Sequence, residues 1–177
     1  ADTPRTSSAA PRHLSMPLPG CLMHVIPHPD ALAWISRILR CVDGGQTPDP
    51  RHFRQFHATI QVQTFDDIDQ CMKIANVVLE LAPEAMIGLR ELIVNAVEHG
   101  NLEIDFDLKS DLLCQGKWQD EIERRLASVE YRDRFSSVEL RRDGAQFTIR
   151  IADQGLGFDW HTHLDPDKAP THMLHGR

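Results

Sequence analysis

The sequence predicts an α+β fold, a two-layer α/β sandwich in which helices cover one face of an antiparallel sheet. The first observation is "SSVELRRDGAQFTIRIADQG", where apolar and polar residues alternate on both sides of Asp143-Gly144, a type I′ hairpin signal. The second is the order of apolar periodicities before this hairpin: a stretch in which every second residue is apolar is followed by stretches in which apolar residues recur every three to four positions. Consecutive antiparallel strands with a separate run of helices are typical of this class.

Composition and charge exclude several classes of protein. The chain has 177 residues, enough for one domain with a real core and an appendage. No apolar run approaches the ~18 residues that a membrane helix needs, and a net charge of -7 disfavours a dedicated nucleic-acid binder. The four cysteines form no C-x-x-C pair, which indicates reduced thiols in the cytoplasm. Because the chain begins at Ala1 and stops at Arg177, we expect a fragment.

The first 50 residues are predicted to be a linker or the tail of a neighbouring regulatory domain. Residues 1–20 are rich in Pro, Ser, Thr and Ala, a composition that buries little surface. Residues 21–26 form a short apolar run that suits a strand, and residues 30–42 have the spacing of a helix. The stretch "DGGQTPDPR" then breaks the chain, and a second body starts near Phe53.

The second body opens with a strand and a helix. "HATIQVQT" alternates apolar and polar side chains, which predicts a strand. Asp66 or Asp67 is expected to cap a helix that runs to about Leu81. The residues spaced for burial on this helix are Ile68, Met72, Ala75 and Leu79.

A second helix and a helical insert follow. Pro83 suits the first position of the second helix, which is predicted to run to about His99. Gly100 is expected to close it in the left-handed conformation. Residues 107–129 are predicted to be helical and charged, and the stretch after Phe158 is expected to be a loop. The thin apolar stripe of the insert consists of Trp118, Ile122 and Leu126.

Two polar residues on the second helix indicate chemistry. Glu91 and Asn95 lie four residues apart, so their side chains project from one face. The amide oxygen of Asn95 suits a hard Mg²⁺ ion that also binds phosphate oxygens. The carboxylate of Glu91 could position or deprotonate an attacking hydroxyl or water. The alternative is that both face solvent and have no role.

The hairpin ends in a second polar motif. Asp153 follows the last strand, and Gly155 and Gly157 complete a D-x-G-x-G pattern. These glycines allow a sharp turn and close approach of a ligand, while Asp153 can accept a hydrogen bond from an exocyclic amine. Many surface turns carry the same pattern, which is the alternative interpretation. The terminal "HGR" offers Gly176 as part of a phosphate-binding turn.

Other residues have a functional and a structural interpretation. Glu98 is expected to face solvent or to pair with a nearby base. Trp118 could anchor a partner, but the core of the insert is the preferred interpretation, and Trp160 could cover a nucleotide. A zinc site in the tail is disfavoured relative to a solvated loop, since no Cys accompanies its histidines, which are His161, His163, His172 and His175.

These motifs together resemble the GHKL ATPase superfamily over about residues 53–177. "ELIVNAVEHGN" is similar to its N box, "DQGLGF" to its first glycine box, and "HGR" to the start of its second. The E-x-x-x-N form that ends in "HG" is most similar to the bacterial anti-sigma-factor serine/threonine kinases. The resemblance implies a Bergerat-type ATP-binding fold with ATP and Mg²⁺ as ligands. A helical insert over about 107–133 is longer than in compact members, and the second glycine box breaks off at Arg177, in the ATP lid.

The resemblance also implies residue roles. Glu91 would be the general base, Asn95 the Mg²⁺ ligand, and Asp153 the partner of the adenine amine. The positions that would shape the pocket, meet the phosphates or belong to the lid are His99, Gly100, Gly155, Gly157 and Gly176.

We therefore expect a cytoplasmic serine/threonine protein kinase that phosphorylates a STAS-type anti-anti-sigma protein and regulates a sigma factor. A homodimer is the oligomeric state that the family suggests, and neither nucleic acid nor membrane is an expected partner. One alternative is a non-catalytic nucleotide-binding module that regulates a receiver or phosphatase domain. The other is the ATPase half of a histidine kinase, although no helical domain with a phosphoacceptor histidine is evident.

Overall fold

The computed structural model describes residues 14–18, 21–25, 44 and 54–157. An antiparallel sheet runs in the order β1-β2-β3-β4-β5, so each strand pairs with its neighbours in sequence. Its strands are β1 (Leu14–Leu18), β2 (Cys21–Val25), β3 (Gln55–Val62), β4 (Ser136–Asp143) and β5 (Gln146–Ala152). The hairpin and the strand predicted from "HATIQVQT" are confirmed.

Four α-helices separate β3 from β4. They are α1 (Phe65–Leu79), α2 (Pro83–Asn95), α3 (Phe106–Gln115) and α4 (Trp118–Ala127), and a π-helical turn, Ala96–Asn101, extends α2. The α+β class is therefore confirmed. Across the described parts of the chain, no helix has the length and apolar character to cross a bilayer.

The core lies between the sheet and the first two helices. Alternate residues of β3 and β4 are fully buried, and α1 and α2 add apolar side chains to the same cluster. This alternation places one sheet face in the core, while the other face carries half-exposed polar residues such as His57 and Glu139, whose side chains lie 2.7 Å apart. Largest among the fully buried apolar residues are Ile60, Ile68, Ile74, Ile93, Leu102, Ile104, Ile122 and Leu140.

Helix α1 begins with a capping box rather than with an Asp cap. Thr64 is the N-cap, and its hydroxyl oxygen accepts a hydrogen bond from the Asp67 backbone N–H at 3.2 Å. The Asp67 carboxylate in turn accepts from the Thr64 backbone N–H at 2.8 Å. The predicted cap at Asp66 or Asp67 is therefore wrong, because Asp67 occupies the third helical position and completes the box from inside. Pro83 is confirmed as the first residue of α2.

The hairpin turn lies one residue later than predicted. Asp143 pairs with Gln146, so Gly144 and Ala145 are the two central residues. Gly144 has φ +61°, whereas Ala145 is not among the residues with positive φ. A type I′ turn needs positive φ at both central positions, so the predicted turn type is wrong.

The helical insert is two helices rather than one. Gly116 has φ +66° and ends α3, and α4 starts again at Trp118. The ring of Trp118 meets the ring of Phe65 edge-on, with centroids 5.3 Å apart, which joins the insert to α1. Ile122 is buried and Leu126 half-buried against the core, which confirms the predicted apolar stripe.

The amino-terminal predictions are covered in part. Backbone pairing of β2 with β3 joins the predicted strand near Cys21 to the sheet. Strand β1 differs from the linker predicted for residues 1–20, and its "LSMPL" alternates Leu and Met with Ser and Pro, the period of a strand. The helix predicted for 30–42 lies outside the described residues, as do Trp160, the tail histidines and Gly176.

Candidate functional site

The outer surface of α2 carries the predicted carboxylate and amide. Glu91 and Asn95 are both exposed, and within the described part of the chain neither side chain has a hydrogen-bond partner. Their spacing on a continuous α-helix puts them one turn apart on one face. Leu92, beside them, is 59% exposed, whereas Ile93 is fully buried. This surface therefore offers a carboxylate and an amide oxygen, both able to accept hydrogen bonds or bind a metal ion, next to the exposed side chain of Leu92.

The helix does not end at Gly100. After Asn95 the backbone widens into the π-helical turn, and the N–H of Leu102 donates to the carbonyl of Val97 at 2.9 Å. Gly100 is not among the residues with positive φ, so the predicted left-handed closure is wrong. The left-handed residue is Glu103, at φ 54°. Turns of this kind are frequent at functional sites.

Gly100 is instead required for contact with the D-x-G-x-G segment. A Cβ at Gly100 would lie 2.4 Å from Cγ of Asp153, and a Cβ at Gly155 would lie 2.2 Å from the Gly100 carbonyl oxygen. Neither position has room for a side chain. The end of the predicted N box and the predicted first glycine box therefore touch, backbone against backbone.

The D-x-G-x-G turn leaves Asp153 available to a ligand. Its Oδ1 accepts a hydrogen bond from the Gly155 backbone N–H at 2.9 Å, and the residue is exposed. Gly157 has φ +73°, a conformation that disfavours any side chain. Each position therefore favours glycine for a different reason: Gly155 because it lies against Gly100, and Gly157 because its φ is positive.

Asn101 was not predicted as a site residue, yet it joins both motifs. It is 2% exposed, and its Nδ2 donates to Ser136 Oγ at 2.9 Å. Its Oδ1 accepts from the Gln154 backbone N–H at 2.8 Å, inside the D-x-G-x-G turn. The Arg134 guanidinium donates to its backbone carbonyl at 3.1 Å. The only signal in the sequence is its position directly after "HG".

Glu98 is a buried carboxylate in the π-helical turn. It is fully buried, and its Oε2 accepts from the ammonium of Lys109 on α3 at 2.5 Å. Its Oε1 has no hydrogen-bond partner among the residues that the structure describes. The expectation that Glu98 pairs with a base is confirmed, and the alternative that it faces solvent is wrong.

His99 binds the backbone rather than a second side chain. Its ring Nδ1 donates to the carbonyl of Ile104, which fixes the loop after the π-helical turn. The residue is itself exposed. A neutral imidazole that donates from Nδ1 keeps Nε2 as an acceptor.

Charged residues of the insert hold this loop. Arg134 donates to Glu103 at 2.6 Å, and this hydrogen bond raises the pKa of Arg134 above its already high value. The guanidinium also lies 5.0 Å from the Tyr131 ring centroid, and Arg125 lies on the same ring at 5.4 Å. The insert thus packs its aromatic and basic residues against the exit of the π-helical turn.

Metal binding by side chains alone has no support in the described ranges, where no group of three His, Cys, Asp or Glu residues could hold an ion.

Comparison with known proteins assigns no family to the chain, since no family model, no curated protein and no solved structure matches this sequence.

Proposed function

We propose that this chain binds Mg²⁺-ATP in a Bergerat-type two-layer fold and acts as a serine/threonine protein kinase of the anti-sigma type. Its substrate would be a serine on a small STAS-type anti-anti-sigma protein, and a sigma factor would be the second partner. The observation that carries the proposal is the contact of Gly100 with Asp153 and Gly155. The packing of α1 and α2 on the β3–β4 face supports the two-layer arrangement.

Adenine recognition is assigned to Asp153. The carboxylate is exposed and accepts one hydrogen bond from Gly155, so it keeps acceptor capacity for an exocyclic amine. The close contact of Gly155 with Gly100 fixes the backbone of the turn that carries this carboxylate. At position 6 adenine carries an amine that can donate to Asp153, whereas guanine carries a carbonyl oxygen that cannot, so a carboxylate facing this position would favour adenine over guanine.

Magnesium and phosphates are assigned to the surface of α2. The amide oxygen of Asn95 is a neutral, exposed donor, and Mg²⁺ commonly takes one or two protein oxygens together with substrate phosphates and waters. Asn95 would supply one such protein oxygen, and phosphate oxygens and waters would complete the set. The ion would offset phosphate charge when bound.

Phosphoryl transfer is assigned to Glu91 as base. The partner's serine oxygen would form a bond to the γ-phosphorus, while the bond from that phosphorus to the β–γ bridging oxygen breaks and ADP leaves. The hydroxyl proton would pass to the Glu91 carboxylate. Glu91 has no competing hydrogen bond within the described residues, so its oxygens are available for this role.

The test uses the full-length protein with labelled ATP, Mg²⁺ and a STAS-type partner. We expect label on a partner serine, and we expect Glu91→Ala to remove it. Glu84→Ala is the matched control, because Glu84 is an exposed carboxylate in the first turn of the same helix. ATP binding without transfer would instead favour the non-catalytic module, and label on the protein's own histidine would favour a histidine kinase. Absence of ATP binding would contradict the whole proposal.

A further inference from the structure

Asn101 has a buried amide side chain whose nitrogen and oxygen each bond to a different segment of the chain. It is 2% exposed at the end of the π-helical turn. Its amide nitrogen donates to Ser136 at the start of β4, and its amide oxygen accepts from Gln154 after β5. Buried polar groups are kept only where their partners are fixed, so this side chain holds three segments in one register.

The contact with Gln154 lies inside the functional turn. Gln154 stands between Asp153 and Gly155, and the preceding residue of the helix, Gly100, touches both of them. The Asn101 hydrogen bond is directed at backbone, so it constrains the chain without depending on a neighbouring rotamer. The Gln154 side chain in turn accepts from the Phe135 backbone N–H at 2.8 Å, which fixes the same turn from the β4 side.

The amide of Asn101 suits this position. It presents one donor and one acceptor from a short stem, and it carries no charge into a buried site. A carboxylate of the same shape would still accept from Gln154, and the Ser136 hydroxyl could reverse and donate to its second oxygen. Leucine has a similar volume and can do neither.

We propose that Asn101 is a positioning residue that sets the Asp153 carboxylate for recognition of the adenine amine. This inference rests on the proposed function. Asn101 is 2% exposed and would act through the backbone of Gln154, so its loss should reduce discrimination for the adenine base rather than remove binding to the phosphates. Ser136 also bonds to the Asn101 side chain but lies outside the D-x-G-x-G turn, so a substitution there provides the matched comparison.

The experiment measures ATP and GTP affinities, with Mg²⁺, for the full-length protein and three variants. For Asn101→Leu we expect ATP affinity to fall about tenfold with GTP affinity unchanged, which lowers the preference for ATP about tenfold. Ser136→Ala keeps the Gln154 contact and should retain ATP affinity within about threefold. Asn101→Asp should restore the preference, because its oxygen still accepts from Gln154.

A second readout needs no nucleotide. The backbone amide of Gln154 should exchange with solvent faster in Asn101→Leu than in the wild type, and Ser136→Ala should leave its exchange unchanged. Equal loss of ATP and GTP affinity in Asn101→Leu, or an unchanged preference for ATP, would overturn the inference. If Asn101→Leu does not fold, a folded Asn101→Asp that has lost the preference would do the same. Failure of the wild type to bind ATP would instead remove the proposed function, and this inference with it.

Discussion

The ammonium of Lys109 lies 2.5 Å from Glu98 Oε2, and the Glu98 side chain is fully buried while that of Lys109 is 27% exposed. This ion pair joins α3 of the insert to the π-helical turn that contains Gly100. A buried carboxylate is tolerated only with a partner, so the position of α3 and the position of the turn depend on each other.

Removal of Lys109 should therefore destabilise the fold strongly. Lys109→Met keeps the aliphatic stem but leaves Glu98 buried without its counter-ion, and we expect a loss of about 3–5 kcal/mol in the free energy of unfolding. Glu98→Gln should cost less, about 1–2 kcal/mol, because the remaining ammonium reaches water. Urea denaturation of both single variants and the double variant gives the coupling energy.

The control for this pair is Lys117→Met. Lys117 is exposed and precedes α4, so the same substitution there should change stability by less than about 0.5 kcal/mol. Equal effects of Lys109→Met and Lys117→Met would contradict the importance of the ion pair.

The glycines at the contact between the two motifs should not accept alanine. In Gly155→Ala the new methyl group would meet backbone atoms of Gly100 at 2.2 and 2.7 Å, so we expect a loss of about 1–3 kcal/mol or more. Gly88 is the control, since a Cβ there meets nothing within 4 Å among the described residues and lies on an exposed helix face. Gly88→Ala should stabilise by about 0.5–1 kcal/mol through better helix propensity. Thermal melting in which both variants shift the same way would contradict the close contact.

Local patterns predicted the parts of the fold that local chemistry determines. Strand alternation in the hairpin and Pro83 at the start of α2 depend on nearest neighbours, and both are confirmed. The cap of α1 was missed although it is local, because Thr64 and Asp67 form the capping box together and neither residue alone identifies the N-cap. The π-helical turn had no local signal, since "AVEHG" has ordinary helical spacing.

The predicted site was incomplete because its supporting contacts are distant in sequence. Glu98 finds its base 11 residues away, and Asn101 finds its partners 35 and 53 residues away in Ser136 and Gln154. A motif identifies residues that could meet a ligand, but it does not identify buried residues that hold the motif. The burial of two polar side chains beside Gly100 could only be found from the packed chain.

Acid should weaken the insert through Glu121. Hydrogen bonds from Arg124 and then Arg125, at 2.7 Å each, lower the pKa of Glu121 from 4.5 to about 2. Because the folded pKa lies below the unfolded value, this stabilisation is complete above pH 4.5 and is lost as the pH falls from 4.5 towards 2. Ion pairs three or four residues apart on a helix surface contribute little, so Glu121→Gln should cost about 0.5–1 kcal/mol at pH 7.

The pH dependence is measured by urea midpoints between pH 7 and pH 3. The stability difference between wild type and Glu121→Gln should shrink as the pH drops below 4.5. Glu123→Gln is the control, because Glu123 is an exposed carboxylate on the same helix without a basic partner among the described residues. A difference that stays constant across this range would show that the two arginines do not bind the Glu121 carboxylate in solution.

Asp153→Asn separates a ligand-binding role from a structural one. The asparagine oxygen can still accept from the Gly155 N–H, so the turn and its stability should be retained. Its charge and its second acceptor are lost, however, and an adenine amine would then face a neutral group that also carries a donor. Since hydrogen bonds to charged groups contribute about 1.5–3 kcal/mol, ATP affinity should fall about 10- to 100-fold while the melting temperature stays close to that of the wild type.

The control for this prediction is Asp143→Asn, at the exposed far end of the same hairpin, which should change neither ATP affinity nor melting temperature. Calorimetric titration with ATP and Mg²⁺ decides the matter: unchanged affinity in Asp153→Asn would remove Asp153 from the nucleotide site, because no other change in that variant could compensate for the lost acceptor.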